Sequence, residues 1–168
     1  MRITRLGGIT ADADTTLYQA DKIECMFEAD GAINVGAPVK LDVTSNLNCT
    51  LVVEAAAILD HRQFVGIYEG EGGTGAAVGT TTPSQSTGNA AVDGDLIMVT
   101  TYGRAIARQD GTTPTVLGEA LQIEAGGTSN LIGGVTAVTN GGTNSILVTC
   151  MEVCDADDEH GVVFVRGM

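Results

Sequence analysis

Apolar and polar residues alternate with a period of two in several short stretches of the chain, and turns rich in glycine separate them. In residues 22–28, Ile23, Cys25 and Phe27 share one face, as expected of a half-buried strand. Further strands are predicted over residues 39–43, 64–68, 95–102, 104–108, 116–123, 130–138, 145–153 and 162–166. The pattern predicts an all-β fold, a compact β-sandwich or β-barrel with long glycine-rich loops and at most one short helix.

The clearest unit covers residues 92–126, in which Asp-Gly turns separate short strands and Gly103 is expected to end the first of them. Similar pieces occur at residues 35–41 and 64–68. Matching Gly36 with Gly94, and Gly66 with Gly118, suggests an internal repeat whose copies differ mainly in loop length. The expected organisation is a flexible N-terminal arm, residues 1–16, followed by a single β domain, residues 17–168.

Two segments have an ambiguous pattern. Residues 51–60 (LVVEAAAILD) begin with two valines, which favour a strand, and continue with three alanines, which favour a helix. Residues 70–91 contain no Leu or Ile and consist mostly of Gly, Thr, Ala and Ser. They predict a long loop that is too poor in large side chains to pack a core of its own.

Composition excludes several classes of partner. The net charge of -13 and the pI of about 4.2 oppose binding to nucleic acid and to anionic membrane surfaces. No apolar run approaches the roughly 20 residues that span a bilayer, and the N-terminal residues lack the pattern of a secretion signal. We therefore expect neither a nucleic-acid nor a membrane partner.

A glycine motif raises the possibility of nucleotide binding. Gly70, Gly72 and Gly75 form G-x-G-x-x-G after a predicted strand, but a dinucleotide site also needs a helix N-terminus behind the glycines. Residues 76–85 include a glycine, three threonines and a proline, which do not favour a helix. The motif is interpreted as a loop.

Metal and catalytic motifs are incomplete. Cys150, Cys154 and His160 lack the second ligand pair of a structural zinc site, and buried thiols explain Cys25, Cys49 and Cys150. The acidic run at residues 155–159 lacks the glycine spacing of an EF-hand. We therefore predict no catalytic residue, no cofactor and no metal site, and expect that the protein is not an enzyme.

The order of several short segments resembles the capsid decoration, or cement, proteins of tailed bacteriophages. The matching segments are residues 35–41 (VGAPVKL), 64–68 (FVGIY), 93–99 (DGDLIMV), 103–107 (GRAIA) and 116–121 (VLGEAL), followed by the predicted strand at 145–153. The resemblance implies a small β-rich protein that forms a homotrimer and binds the major capsid protein on the outside of the expanded head. It would be made in the host cytoplasm and located on the capsid surface of the virion.

Two other functions remain open. One is a binding module of a head fibre or of the tail, which would grip a receptor through loops such as residues 70–91. The other is a small nucleotide-binding enzyme that uses the glycine motif.

Two groups of basic residues are candidate contact sites. Arg2 and Arg5 make the arm the cationic segment of an acidic protein, and with Ile3, Thr4 and Leu6 they form a stretch long enough to add a strand to an exposed sheet edge. The arm is predicted to order only on the capsid; the alternative is an ordinary frayed terminus.

Arg104 and Arg108 share one face of their predicted strand. They are expected either to pair with carboxylates across the sheet or a subunit contact, or to be exposed charges that aid solubility.

Overall fold

The computed structural model describes residues 2–4, 22–44, 50–55, 58–78, 88–109, 116–123, 132–134, 148–153 and 159–166. Among these residues there is a single 3-10 helix, Ile58–Gln63, and no α-helix. The strands are β1 (Arg2–Thr4), β2 (Lys22–Ala29), β3 (Pro38–Leu41), β4 (Leu51–Glu54), β5 (Phe64–Tyr68), β6 (Ala77–Val78), β7 (Gly88–Asn89), β8 (Leu96–Gln109), β9 (Leu121–Ile123), β10 (Ile132–Gly134), β11 (Val148–Cys150) and β12 (Glu159–Val165). The predicted all-β fold is confirmed, and of the two predicted architectures, a sandwich or a barrel, the strands form a barrel.

Five strands close into a first barrel. β2 pairs with β4 in parallel, and the antiparallel pairs β4–β3, β3–β5, β5–β8 and β8–β2 complete the ring. Alternate residues of the walls point inward, so Phe27, Val39 and Val99 are buried in one apolar cluster. Closure pairs the long edges of these strands, which a flat sheet would leave open.

A second ring follows the same order of pairing. β8 pairs with β10 in parallel, and the pairs β10–β9, β11–β12 and β12–β8 are antiparallel. β9 meets β11 through the bridge between Ala120 and Thr149 and through two backbone hydrogen bonds at Cys150. The described residues therefore form two five-stranded barrels of identical strand order, which share β8.

The two barrels match at the level of single hydrogen bonds. Gly36 N–H donates to the Tyr68 carbonyl at 2.7 Å, and Gly118 N–H donates to the Cys150 carbonyl at 2.8 Å. The reverse bonds also correspond, from Tyr68 N–H to Ala37 and from Cys150 N–H to Glu119. The sequence VGAPVKL at residues 35–41 thus corresponds to LGEALQI at residues 117–123.

This correspondence corrects the register of the repeat that the sequence suggested. Gly36 matches Gly118 and not Gly94, and Gly66 matches Val148 and not Gly118, because Pro38 pairs with Ile67 as Ala120 pairs with Thr149. Turn glycines recur at several similar places in this chain, so matching them alone did not identify the partner strands.

β8 is continuous where the sequence predicted a break at Gly103. Its first half pairs with β2 and β5 of the first barrel, and its second half pairs with β12 of the second. Gly103 has a φ of 99°, a conformation that glycine adopts without strain, and it remains paired with Val165. The glycine therefore redirects the strand from one barrel into the other without ending it.

The barrels also share apolar packing. Ala55, Phe64 and Ile67 come from the first barrel, but they lie in the cluster formed by the interior of the second. β5 can supply both cores because its register with β3 shifts between Val39 and Lys40, and such a bulge changes which side chains face each side.

The structure resolves both ambiguous segments. Residues 51–60 contain β4 and the beginning of the 3-10 helix, so the valines form a strand and the helical segment follows residue 57. The described parts of residues 70–91 are a ribbon in which β6 pairs with β7, and not only an irregular loop as predicted. A Cβ atom at Gly70 would lie 2.6 Å from the Cα atom of Gly88, so small residues are what allow this close approach.

Candidate functional site

Part of the predicted capsid-binding arm lies on the chain's own sheet. Arg2, Ile3 and Thr4 form β1, which runs antiparallel to the beginning of β2, with Arg2 opposite Glu24 and Thr4 opposite Lys22. Arg5 and Leu6 lie outside the described residues. The structure thus shows strand addition within the chain, and binding of the arm to a capsid stays a prediction.

A mostly buried ionic cluster lies at the beginning of β2, which pairs with β1. Lys22 Nζ donates to Glu24 Oε1 at 2.9 Å and to Glu69 Oε2 at 2.5 Å. Burial lowers the pKa of Lys22, but the charges and hydrogen bonds of Glu69 and Glu24 outweigh it, so its pKa lies above the ordinary value of 10.5. Lys22 is therefore held charged between two carboxylates.

Glu69 extends this cluster to β8. It accepts a hydrogen bond from Thr100 Oγ1 at 2.6 Å and another from the Ile106 N–H at 2.9 Å. Thr100 and Ile106 lie on opposite sides of the bend at Gly103, so one carboxylate fixes both halves of the shared strand. Lys22, Glu24 and Glu69 were not predicted as a site, because their spacing in the sequence gives no signal that they meet.

The predicted pair Arg104 and Arg108 lies on the outer face of the second barrel. As predicted, the two share this face, with Ile106 between them, and all three are half-buried. Arg104 is opposite Phe164, and Arg108 is opposite His160. A role of this pair in a contact between subunits stays a prediction.

Arg108 lies where the two barrels meet. Its N–H donates to the Gly36 carbonyl at 2.9 Å, and its charge lies near Glu54. Burial raises the pKa of Glu54, while hydrogen bonds from Asn34 and the charge of Arg108 oppose that rise without cancelling it. Pairing of Arg104 and Arg108 with carboxylates stays a prediction.

Among the described residues, several large apolar side chains are exposed outside the predicted sites, and two groups of them are considered together. Met26 and Leu96, both 59% exposed, lie on the outer face of the β2–β8 pair. Val116 and Leu117, both 64% exposed, form a turn that is hydrogen-bonded to the end of β11, close to the exposed Met151. Patches of this kind are typical of contact surfaces.

The glycine motif does not have the geometry of a nucleotide site in the described residues. Gly75 is followed by β6 and not by a helix, and its N–H donates to the Ala90 carbonyl at 2.9 Å. Gly72 and Gly73 lie against the backbone of Leu96 and the hydroxyl of Tyr68, so the glycines serve close packing.

The cysteine and histidine residues do not converge. Cys150 is a reduced thiol inside the second barrel, as predicted, whereas His160 lies on the outer side of the wall with Nε2 at 3.2 Å from the Val35 carbonyl oxygen. Cys25 is also a reduced thiol and is half-buried, while Cys49 and Cys154 lie outside the described residues. Within the described ranges, no group of three or more His, Cys, Asp or Glu residues is placed to hold a metal ion.

The part of the chain that the structure describes contains no helix with the length and apolarity needed to cross a membrane.

Comparisons with known proteins give similarity to solved structures. No protein family model matches the chain, and no curated protein is similar to it. Among solved structures, the head fiber gp8.5 N base in bacteriophage phi29 is similar with a TM-score of 0.47 and 10% sequence identity. The similarity covers 88% of this chain and 98% of that chain. At this TM-score the two folds are only loosely similar.

Proposed function

We propose that this chain is a structural protein of a phage virion that binds the outside of the expanded head as a homotrimer and stabilises it. The major capsid protein would be its partner. The proposal involves no chemical step on a substrate, and binding alone would perform the function.

The main support is the position in the fold of the segments that resemble decoration proteins. Residues 35–41 form the turn before β3 and β3 itself, and residues 64–68 are β5. Residues 93–99 and 103–107 lead into β8 and continue it past the bend, and residues 116–121 form the corresponding turn of the second barrel. The resemblance is therefore concentrated in the strands and turns that define both barrels.

Stabilisation of the head would follow from linkage. A protein that binds only the expanded lattice lowers its free energy by about 2.7 kcal/mol when the free protein exceeds its Kd about a hundredfold. A trimer on one symmetric site adds multivalency, because three weak contacts act at a high effective concentration.

The test uses tailless heads purified from the phage that carries the gene, in expanded and unexpanded form. We expect the protein to sediment with expanded heads, to bind unexpanded heads weakly, and to raise the temperature at which expanded heads rupture. Failure to bind either form contradicts the proposal. Binding without any change in rupture temperature would instead favour a head fibre, and binding only to tails a tail-associated module.

The contribution of the arm is tested separately. A chain that starts at Ala11 lacks Arg2, Ile3, Thr4, Arg5 and Leu6 and is expected to bind expanded heads more weakly. On the head the arm would exchange its pairing with β2 for a sheet edge of the capsid protein, where backbone hydrogen bonds give affinity. Circular dichroism and melting temperature control for the loss of β1. If the truncated and intact chains fold alike and bind with equal affinity, the arm is an ordinary terminus.

A further inference from the structure

The turn before β3 in the first barrel is covered by the second barrel. The Gly36 carbonyl accepts a hydrogen bond from the Arg108 N–H at 2.9 Å, and a Cβ atom at Gly36 would lie 2.8 Å from Cγ of Arg108 and from Cδ2 of His160. Arg108 and His160 lie on the outer face of the β8–β12 pair, so this face packs on the turn. The contact between the barrels is thus a face of one against a turn of the other.

The matching turn of the second barrel has no such cover within the described residues. Leu117 corresponds to Val35 and is 64% exposed, and its neighbour Val116 is equally exposed. Gly118, which corresponds to Gly36, has no atom within 4 Å of a Cβ built on it. We call Val116, Leu117 and the adjacent Met151 the open turn.

The matching face of the first barrel is uncovered as well. In the β8–β12 pair, Arg108 lies opposite His160 and Ile106 lies opposite Val162. At the matching positions of the β2–β8 pair, Glu28 lies opposite Leu96 and Met26 lies opposite Met98. His160 is buried against the first barrel, whereas Leu96 is 59% exposed. We call Met26, Glu28, Leu96 and Met98 the open face.

We propose that the open face of one molecule docks on the open turn of a second copy of this chain. Inside the chain, the equivalent pair of surfaces already meets once, where the outer face of the second barrel packs on the turn of the first barrel. Each molecule then retains one unused face and one unused turn, and these belong to opposite barrels. A contact between them is head-to-tail, and it closes into a ring or continues as a filament.

The contact inside the chain and the proposed contact between copies differ in some residues, and these differences favour apolar side chains in the contact between copies. Arg108 and Glu54 attract each other inside the chain, and the residues at the corresponding positions are Glu28 and Gly134. The Glu28 N–H already donates to Thr50, so it cannot repeat the bond from Arg108 to Gly36. Met26 and Leu96 against Val116 and Leu117 would therefore supply most of the contact.

The experiment uses two double variants of the full chain that keep the net charge. Met26→Gln with Leu96→Gln alters only the open face, and Val116→Gln with Leu117→Gln alters only the open turn. Sedimentation velocity is expected to show self-association of the wild type, and an apparent Kd at least about tenfold weaker for each variant, since buried apolar area drives such contacts.

Mixing the two variants tests the direction of the contact. Each variant keeps one intact surface, so an equimolar mixture is expected to form a one-to-one heterodimer that stops there. In a two-fold contact of face on face or of turn on turn, one of the two variants would instead self-associate on its own, because the surface that it uses is intact.

A third variant is the matched control. Val43→Gln with Val92→Gln removes two exposed apolar side chains that belong to neither surface, and it is expected to associate like the wild type. A wild type that stays monomeric overturns the proposal, as does equal weakening in the control or a mixture that forms no heterodimer. Because no capsid is present, failure here leaves binding to the expanded head to its own test, and a homotrimer would then have to form on the head by another contact.

Discussion

Gly36 and Gly118 occupy the same position in the two barrels, with φ of 80° and 83°, but in different surroundings. The left-handed backbone should cost alanine about 1 to 2 kcal/mol at either position. At Gly36 the added Cβ also overlaps Arg108 and His160, and this overlap should cost about 1 to 3 kcal/mol more. Urea denaturation of dilute protein should therefore show that Gly36→Ala is clearly less stable than Gly118→Ala. Equal losses of unfolding free energy in the two variants would mean that Arg108 and His160 shift to accommodate the added methyl group at little cost.

Tyr68 predicts a loss of stability at high pH. Burial, followed by the charge of Asp95, raises its pKa from 10.0 to about 12, despite the hydrogen bond from Gly73 that favours the anion. The folded state therefore holds the proton more tightly than the unfolded state, and its stability is lost as the pH rises above 10. The Tyr68 contribution should fall by about 1.3 kcal/mol between about pH 9 and pH 11.

The measurement compares Tyr68→Phe with Tyr102→Phe by urea denaturation across this range. Tyr68→Phe should be less stable by about 1 kcal/mol at neutral pH, because the Asn89 carbonyl loses the hydroxyl donor at 2.6 Å. Above pH 10 it should lose less stability than the wild type. Tyr102 is 38% exposed, and its variant is the control for loss of a hydroxyl at the surface. The same slope in both variants would assign the pH dependence to other groups.

At the scale of the element, the strand pattern was predictable where a strand has one solvent-exposed face and one buried face. Phe27 and Ala29 of β2 are buried and Met26 and Glu28 are exposed, as alternation requires. The continuity of β8 was not predictable, because a glycine that ends a strand and a glycine that bends one have the same sequence signal. Only the pairing of Gly103 with Val165 distinguishes them.

The candidate site was predictable only in part. The shared face of Arg104 and Arg108 follows from spacing, but whether a turn is covered depends on where the other barrel lies. Leu117 and Val35 have similar sequence surroundings and opposite exposure. The similarity of VGAPVKL and LGEALQI was a usable signal for the repeat. Matching Gly36 with Gly94 did not detect it.

The shared strand predicts that the two barrels unfold together. Val99 and Val163 occupy matching positions in the two cores, and both are fully buried. Replacing either with alanine should cost about 2 to 3 kcal/mol. Because β8 belongs to both rings and Glu69 fixes both of its halves, each variant should lower the protection of amides in β5 and β11 equally.

Hydrogen exchange measured by mass spectrometry resolves the two barrels in one experiment. Val163→Ala that exposes β11 while β5 keeps its wild-type protection would show that the barrels unfold separately. In that case the unit of folding would be the single barrel and not the pair.

At the scale of the whole molecule, the net charge of -13 opposes every contact between copies. The proposed head-to-tail contact adds a local repulsion, because it brings Glu28 of the open face near the turn that carries Glu119. The Debye length shortens from about 30 Å at about 0.01 M salt to about 8 Å at about 0.15 M. Salt should therefore screen both repulsions while leaving the apolar contact intact.

The resulting prediction is that self-association tightens as salt rises, over the range from about 0.01 M to about 0.15 M. Sedimentation velocity of the wild type should show larger species at the higher salt, and the open-turn variant Val116→Gln with Leu117→Gln should stay monomeric at both. An interface held by ion pairs would weaken over the same range, because screening reduces attraction between opposite charges. The direction of the salt dependence therefore separates an apolar contact between like-charged molecules from one made by Arg104, Arg108 and carboxylates of a second copy.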